Sequence, residues 1–240
     1  MTTAAIAHTT DLSGADVAAF HHAAALAAAS GVRLVTVHGN AGAAEAASLP
    51  DAAPLSARWN RPIDHRRICH ECCDDVADTL IDAVRSIDPQ LLVVGTHARH
   101  GLTALLAGSV AEAVARNVAV PTLIVPNHVR GFVDPSTGAI DLRRLLVPAG
   151  TDDEAERGKA AARALAALAG VHAEIEVLHV ASGNVVAAIL ARARSDQACA
   201  IVMTTHAHDG LGDVLLGSRT EHVIRDAMCP VLSVPLPKAT

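Results

Sequence analysis

The chain has 240 residues, of which 51% are hydrophobic, and a formal charge of −6. Aromatic residues make up 1%, namely Phe20, Trp59 and Phe132; so few stacking platforms exclude a protein that binds nucleic acid by stacking its bases, and the acidic balance excludes a phosphate-backbone partner. This length fits one large domain or two small ones.

In chain order, Ile6 to Thr9 reads as a short strand, weakened by alanine, a poor strand former. Ser13, with Asp16 three residues on, predicts a helix start, and Gly31 lies just past the helix end. Val32 to His38 is strand-like. Residues 39–62 are rich in Ala, Gly and Pro and read as a loop with room for one short helix. Ile63 to His70 reads as a strand, and Asp74 to Ile87 as a helix with Val76, Leu80, Ile81 and Val84 on one face. Leu91 to Val94 is wholly apolar and too short for a helix, which predicts a buried strand. A glycine-containing loop from Gly95, a helix from Val110 to Asn117 and a strand from Thr122 to Val125 follow.

After a linker the pattern restarts, with a strand at Leu145 to Val147 and a helix from the Thr151–Glu154 capping box to Gly170. A strand at Glu174 to Val180, a helix at Val185 to Ala193 and a strand at Ala200 to Met203 come next. This half has one strand fewer. Alternating strands and helices predict a mostly parallel sheet with helices on both faces. In such sheets a ligand lies beyond the carboxyl ends of the strands, where strand order reverses. The loops after the first strand and after Leu91–Val94 border that crevice.

Residues 95–126 return at 204–235. At a fixed offset of 109 the two 32-residue stretches agree at 15 positions without a gap, including Gly101, Gly108, Ser109, Glu112, Pro121 and Leu123. A period near half the chain means two copies of one domain. The domains are expected at 1–127 and 144–240, joined by a linker at 128–143. Ser109 with Glu112, and Ser218 with Glu221, form capping boxes that open a helix behind a Gly-Ser pair. Unpaired N–H groups and a partial positive charge at such a helix start suit a phosphate. The same pattern is also what a plain helix cap looks like. The dinucleotide fingerprint G-x-G-x-x-G and the P-loop are both absent.

The run Val93-Val94-Gly95-Thr96-His97-Ala98-Arg99-His100-Gly101, then Gly108-Ser109 and Val120-Pro121, resembles the universal stress protein family. The resemblance covers both halves and implies two tandem Rossmann-like α/β domains with strand order 3-2-1-4-5, the second copy shortened. It implies an adenine nucleotide, ATP or AMP, as ligand, a stress-response role, and no enzymatic activity beyond very slow ATP hydrolysis. Carried over residue by residue, Thr10 and Asp11 resemble the turn that contacts adenosine. Gly95, Gly108 and Ser109 resemble the phosphate and ribose loop, flanked by Val94 and Val110. Two positions depart from the pattern: Ala98 stands where the second motif glycine belongs, and Gly39 stands where an apolar side chain usually touches the base. The second half departs further, with Gly150 at the aspartate position and Thr204 and Ala207 in place of the first motif glycines. It reads as a degenerate site that packs against the first half. The family's terminal strands commonly mediate dimerisation, so Thr122–Val125 and Leu232–Val234 are expected to meet in an intramolecular pseudo-dimer; a homodimer stays open.

His65, Cys69, His70, Cys72 and Cys73 crowd into nine residues, and Cys69-His-Glu-Cys72 has C-x-x-C spacing. A closed zinc site needs four ligands, and no second C-x-x-C or downstream H-x3-H completes one. No metal site is therefore expected. The cysteines read first as structural, Cys199 and Cys229 as core, with a metal- or thiol-redox sensor through Cys69 and Cys72 as an alternative. A protein of pure interaction function, with both sites dead, is a second alternative. No Ser-His-Asp or Cys-His order stands out, so no catalytic residues are assigned. The start Met1-Thr-Thr-Ala-Ala lacks a signal-peptide pattern, no apolar run of about 18 residues suggests a membrane span, and the cysteines do not form a secreted framework. A cytoplasmic protein is expected.

Overall fold

A computed structural model of the chain describes residues 4–12, 14–39, 48–70, 76–96, 117–180, 182–205 and 218–236. The first half contains β1 (Ala5–Thr9), α1 (Val17–Ser30), β2 (Arg33–Gly39), α2 (Ala53–Trp59), β3 (His65–His70), α3 (Val76–Ile87), β4 (Leu91–Thr96) and β5 (Thr122–Pro126). The second contains β6 (Arg144–Ala149), α4 (Asp152–Ala169), β7 (Glu174–His179), α5 (Val185–Ser195), β8 (Ala200–Thr205), α6 (Ser218–Asp226) and β9 (Val231–Pro235). The expected elements are there wherever the chain is described, and the short helix in the Ala/Gly/Pro-rich stretch is α2. The helix expected from Val110 lies almost wholly outside the described residues.

Helix starts differ from one another for local reasons. Thr151 caps α4 as its sequence predicts: its backbone is extended (φ −136°, ψ 162°) and its hydroxyl accepts from the Glu154 N–H at 3.2 Å. Asn184 caps α5 through Oδ1 to the Ala187 N–H at 3.1 Å, a cap the sequence reading missed. The start expected at Ser13 is displaced. A 3-10 turn at Gly14–Asp16 leads in, α1 begins at Val17, and Asp16 (φ −94°, ψ 1°) lacks the extended geometry that a side-chain cap needs.

The described strands form one nine-stranded sheet, ordered β3-β2-β1-β4-β5-β9-β8-β6-β7. The first half has the expected order 3-2-1-4-5, and the second repeats it without a third strand. All pairs are parallel except β5 with β9. There Thr122 meets Ser233, Leu123 meets Leu232 and Ile124 meets Val231. Leu123 and Leu232 are equivalent residues of the repeat, so the two halves join about a pseudo-twofold axis through their own terminal strands. Pairing satisfies two edges that would otherwise be exposed templates for aggregation.

Each sheet face carries one apolar layer that runs through both halves. One lies under α1, α2 and α4 and includes Leu26, Leu123, Leu145, Leu165 and Leu232; the other lies under α3, α5 and α6. Helices α1 and α4 are largely alanine, and their small side chains let them pack on each other and on the sheet without aromatic filler. Residues 127–143 do more than connect. Val133 bridges Ile140 as a small hairpin, His22 meets Phe132 edge-on at 4.5 Å, and Trp59 Nε1 donates to the Pro135 carbonyl at 3.2 Å. His128 Nε2 reaches the Ala227 carbonyl at 3.1 Å, which ties the segment to the second half as well. Two glycines make the fit. At Gly131 (φ +71°) a Cβ would sit 2.2 Å from the His22 ring, and at Gly138 (φ +67°) 2.5 Å from the Trp59 ring.

Candidate functional site

The carboxyl ends of β1 and β4 lie side by side, since Thr9 pairs with Val94, which places Thr10 and Gly95 on the next rung. Thr10 is buried and fully engaged. Its N–H donates to the Val37 carbonyl at 3.1 Å, its hydroxyl accepts from the Leu12 N–H at 2.9 Å, and its carbonyl accepts from His38 Nδ1 at 2.7 Å. That last bond fixes the His38 tautomer with its proton on Nδ1. The turn is tight enough to hold Leu12 at φ 62°, a left-handed conformation uncommon for a bulky residue. It presents Asp11 at the surface from a rigid base. Val94 is buried in the sheet, and Gly95, half-buried, brings bare backbone to the crevice.

Thr96 closes β4. It is 3% exposed, and its Oγ1 has no hydrogen-bond partner among the described residues. Such an orphaned hydroxyl at the rim of a crevice costs about 1–3 kcal/mol unless a ligand satisfies it. A bound polar ligand fits that observation. Neither Thr96 nor His38 was legible as a site residue, because each reads as an ordinary polar strand residue until the strands are aligned. Of the other expected site residues, Ala98, Gly108, Ser109 and Val110 lie outside the described residues. Gly39 has a packing reason: a Cβ there would stand 3.0 Å from Val76 Cγ1 and 3.4 Å from Leu80 Cγ, so α3 fills the place of the missing side chain.

Beneath the crevice, on the α1 face, lies a second polar feature that the sequence reading did not single out. His8 is fully buried 5.4 Å from Phe20, and neither ring nitrogen has a partner among the described residues. Burial, helped by the charge of His65, pushes its pKa down to about 3. His65 is engaged at both nitrogens, with Nε2 on Thr36 Oγ1 at 2.9 Å and Nδ1 accepting from the Ala52 N–H at 3.2 Å. Burial lowers its pKa too, against the pull of Asp51. An imidazole whose acceptor lone pair is already taken has none left for a metal. Cys69 is half-buried, while Cys72 and Cys73 lie outside the described residues. Among the described residues no group of three or more His, Cys, Asp or Glu is placed to hold a metal ion.

The corresponding crevice of the second half is built differently. Ala149 and Gly150 stand where the first half has Thr10 and Asp11. The Gly150 N–H is already taken, donating to Glu154 Oε2 at 2.6 Å. The Glu154 carboxylate therefore already takes the backbone donor of the turn after β6.

Strand order 3-2-1-4-5 in the first half, its shortened repeat in the second and a glycine at the carboxyl end of β4 are features shared with known proteins. The model of the universal stress protein family matches residues 5–126 and again 135–235. The chain belongs to the universal stress protein family. Among solved structures, a universal stress protein from Archaeoglobus fulgidus DSM 4304 is 18% identical, with a TM-score of 0.68 over 98% of this chain and 99% of that one. A putative universal stress protein from Pseudomonas aeruginosa UCBPP-PA14 is 16% identical, with a TM-score of 0.66 over 97% of this chain and 93% of that one. A functionally unknown protein from Pseudomonas aeruginosa PAO1 is 15% identical, with a TM-score of 0.65 over 97% and 92%. At these identities the likeness carries the tandem universal stress protein fold. No curated protein matches the chain. Among the described residues, no helix is long and apolar enough to cross a membrane.

Proposed function

We propose that this universal stress protein binds an adenine nucleotide, ATP or AMP, in the first-half crevice only, and acts as a cytoplasmic stress-response regulatory module rather than an enzyme. One observation carries the reading: at the carboxyl end of β4 the buried Thr96 hydroxyl has no partner among the described residues, whereas its repeat equivalent Thr205 donates to the Val234 carbonyl at 3.3 Å. Thr10 and His38 brace a turn that offers Asp11, Gly95 supplies bare backbone, and Thr96 holds a hydroxyl in need of a partner. Glu154 takes up the equivalent N–H in the second half. In this reading Asp11 contacts the nucleoside. Gly95, Ala98, Gly108 and Ser109 line the phosphates and ribose, between Val94 and Val110. The terminal strands β5 and β9 pair inside the chain, so a homodimer would need another surface.

Nucleotide analysis of the freshly purified chain, followed by calorimetric titration with ATP and with AMP, tests the reading. The expected result is one site per chain, weakened by Asp11→Ala and Ser109→Ala, strengthened by Ala98→Gly, and unchanged by Gly217→Ala. Equal losses from variants of both halves would overturn the asymmetry, and no binding at all would leave an interaction protein with two dead sites.

A further inference from the structure

Residues 127–143 join the two halves, and their small hairpin is held to the first half by the ring of His22. The Ala18 carbonyl takes His22 Nδ1 at 2.7 Å. A carbonyl only accepts, so the ring proton is on Nδ1 and Nε2 keeps its lone pair. That lone pair accepts the Phe132 N–H at 3.0 Å, 110 residues further along the chain. The Phe132 ring stands edge-on to the imidazole at 4.5 Å, and Gly131 lies so close that a Cβ there would meet the imidazole at 2.2 Å. At 1% exposure the ring has no solvent to turn towards. This seat fits one protonation state. An imidazolium carries N–H on both nitrogens and would set a second donor against the Phe132 N–H.

The hairpin does not depend on this bond for its own shape. The Asp141 N–H donates to the Phe132 carbonyl at 2.8 Å, the Asp134 N–H to the Ala139 carbonyl at 2.9 Å and the Gly138 N–H to the Asp134 carbonyl at 2.8 Å. Its tie to the second half also survives protonation: His128 Nε2 faces the Ala227 carbonyl, so that nitrogen carries a proton in either state of the ring. On the first half, Trp59 is a second fixed point, with Nε1 on the Pro135 carbonyl and its ring against Gly138. Nothing around His22 offsets a charge on it. Among the described residues His21, beside it on α1, is the titratable group whose charge reaches it, and it opposes protonation; Arg58 of α2 acts on His21 in turn. In the hairpin, Ser136 engages Asp134, Arg130 lies near that carboxylate, and Arg143 engages Asp141. The buried face of α4 is apolar, and on the strands under α1 His8 stands against Phe20. The equivalent of His22 in the second half is Ala161, so only the first half holds such a ring.

We propose that His22 is a proton-operated latch: one proton taken up on Nε2 releases the connecting hairpin from α1 as a unit, uncovering Phe132 and Trp59 while the hairpin keeps its tie to the second half. Burial holds the seated ring at about 4, against an ordinary value of 6.5 for a released one. Above about pH 6.5 the ring is neutral in both forms, and the latch is at full strength. Below that value the released ring binds a proton that the seated ring refuses, so the released fraction rises about tenfold per pH unit down to the seated value. No residue of the nucleotide crevice takes part, so the latch stands or falls independently of nucleotide binding.

Hydrogen exchange of the full chain, followed by NMR, tests the proposal, because exchange reads an opening even while it is rare. Two protons report on the hairpin: the Phe132 amide, and the indole N–H of Trp59, the one tryptophan of the chain. Corrected for intrinsic rates, both should lose about 30-fold in protection between about pH 7.5 and about pH 5. Both should also stay less protected than the amides of Leu146 and Val147 in β6, which open with the whole sheet. His22→Gln offers the Phe132 N–H an amide oxygen that does not titrate, so it should keep the neutral-pH protection and lose the pH dependence. His8→Val should leave that dependence in place. The wild-type profile decides the matter even if His22→Gln folds poorly. Phe132 protection that ignores pH, that falls only in step with Val147, or that falls equally in His22→Gln would each overturn the latch.

Discussion

The two halves share a fold and differ inside it. Counting 139 residues on from each position, His8 becomes Val147, His22 becomes Ala161, Thr10 becomes Ala149 and Asp11 becomes Gly150. Register supports the match: Ile6 pairs with Leu91 as Leu145 pairs with Ala200, and α1 and α4 stop at Gly31 and Gly170. The second half fills these positions with apolar groups or leaves them bare. The first keeps polar groups there, at a cost in stability that packing alone does not explain.

Acid should separate the halves most. Burial depresses His8 to about 3 and His22 to about 4, against an ordinary value of 6.5. Both imidazoles are neutral in the folded and unfolded chain above about pH 6.5, so their contribution is intact there. As pH falls below that value, the unfolded chain takes up protons that the folded chain refuses, and stability drops by about 1.4 kcal/mol per pH unit for each histidine. The loss runs down to the folded values. Protonating His22 also ends its acceptance of the Phe132 N–H at 3.0 Å. Urea melts from neutral pH to about pH 4, with hydrogen exchange, should show β1 and β2 losing protection before β6 and β7. His8→Val should flatten the acid limb and stabilise the chain at neutral pH. An unchanged limb would sink the role given to His8.

Next in size is the seam. Leu123 and Leu232 are 0% and 1% exposed at the pseudo-twofold axis. Leu123→Ala should cost about 2–5 kcal/mol, and calorimetry should show both halves melting earlier. If only the first half shifts, the two layers are not one cooperative core.

A smaller effect is expected where the helices cross β1 and β6. Ala19 and Gly158 are equivalent positions, but a Cβ on Gly158 would stand 2.4 Å from Val147 Cγ1. Gly158→Ala gains about 1 kcal/mol of helix propensity and loses about 1–3 to overpacking, a net destabilisation. Adding Val147→Ala should relieve the crowding, so denaturant midpoints of the single and double variants check the contact. The smallest effect belongs to the α4 cap: Thr151→Ala should cost about 1 kcal/mol in the same melts, with the α1 end unaffected.

The sequence by itself determined the repeat and the shortened second copy, while the strand order was what the family resemblance implied. Periodicity, capping boxes and the 109-residue offset are local or one-dimensional signals. Place after apolar strands marked two loops as bordering the crevice, and the resemblance pointed to Asp11 and Gly95 there as candidate site residues. The sequence put the start of α1 at Ser13, because capping patterns do not reveal whether the backbone at Asp16 is extended. Only the tertiary structure decided that nine strands form one sheet, since the β5–β9 register depends on two segments more than a hundred residues apart. It alone brought His38 to Thr10, left Thr96 and His8 without partners among the described residues, and put Glu154 on the Gly150 N–H. Those are consequences of which strands lie next to each other, and a residue's neighbours across a parallel sheet leave no trace in the residues beside it in the chain.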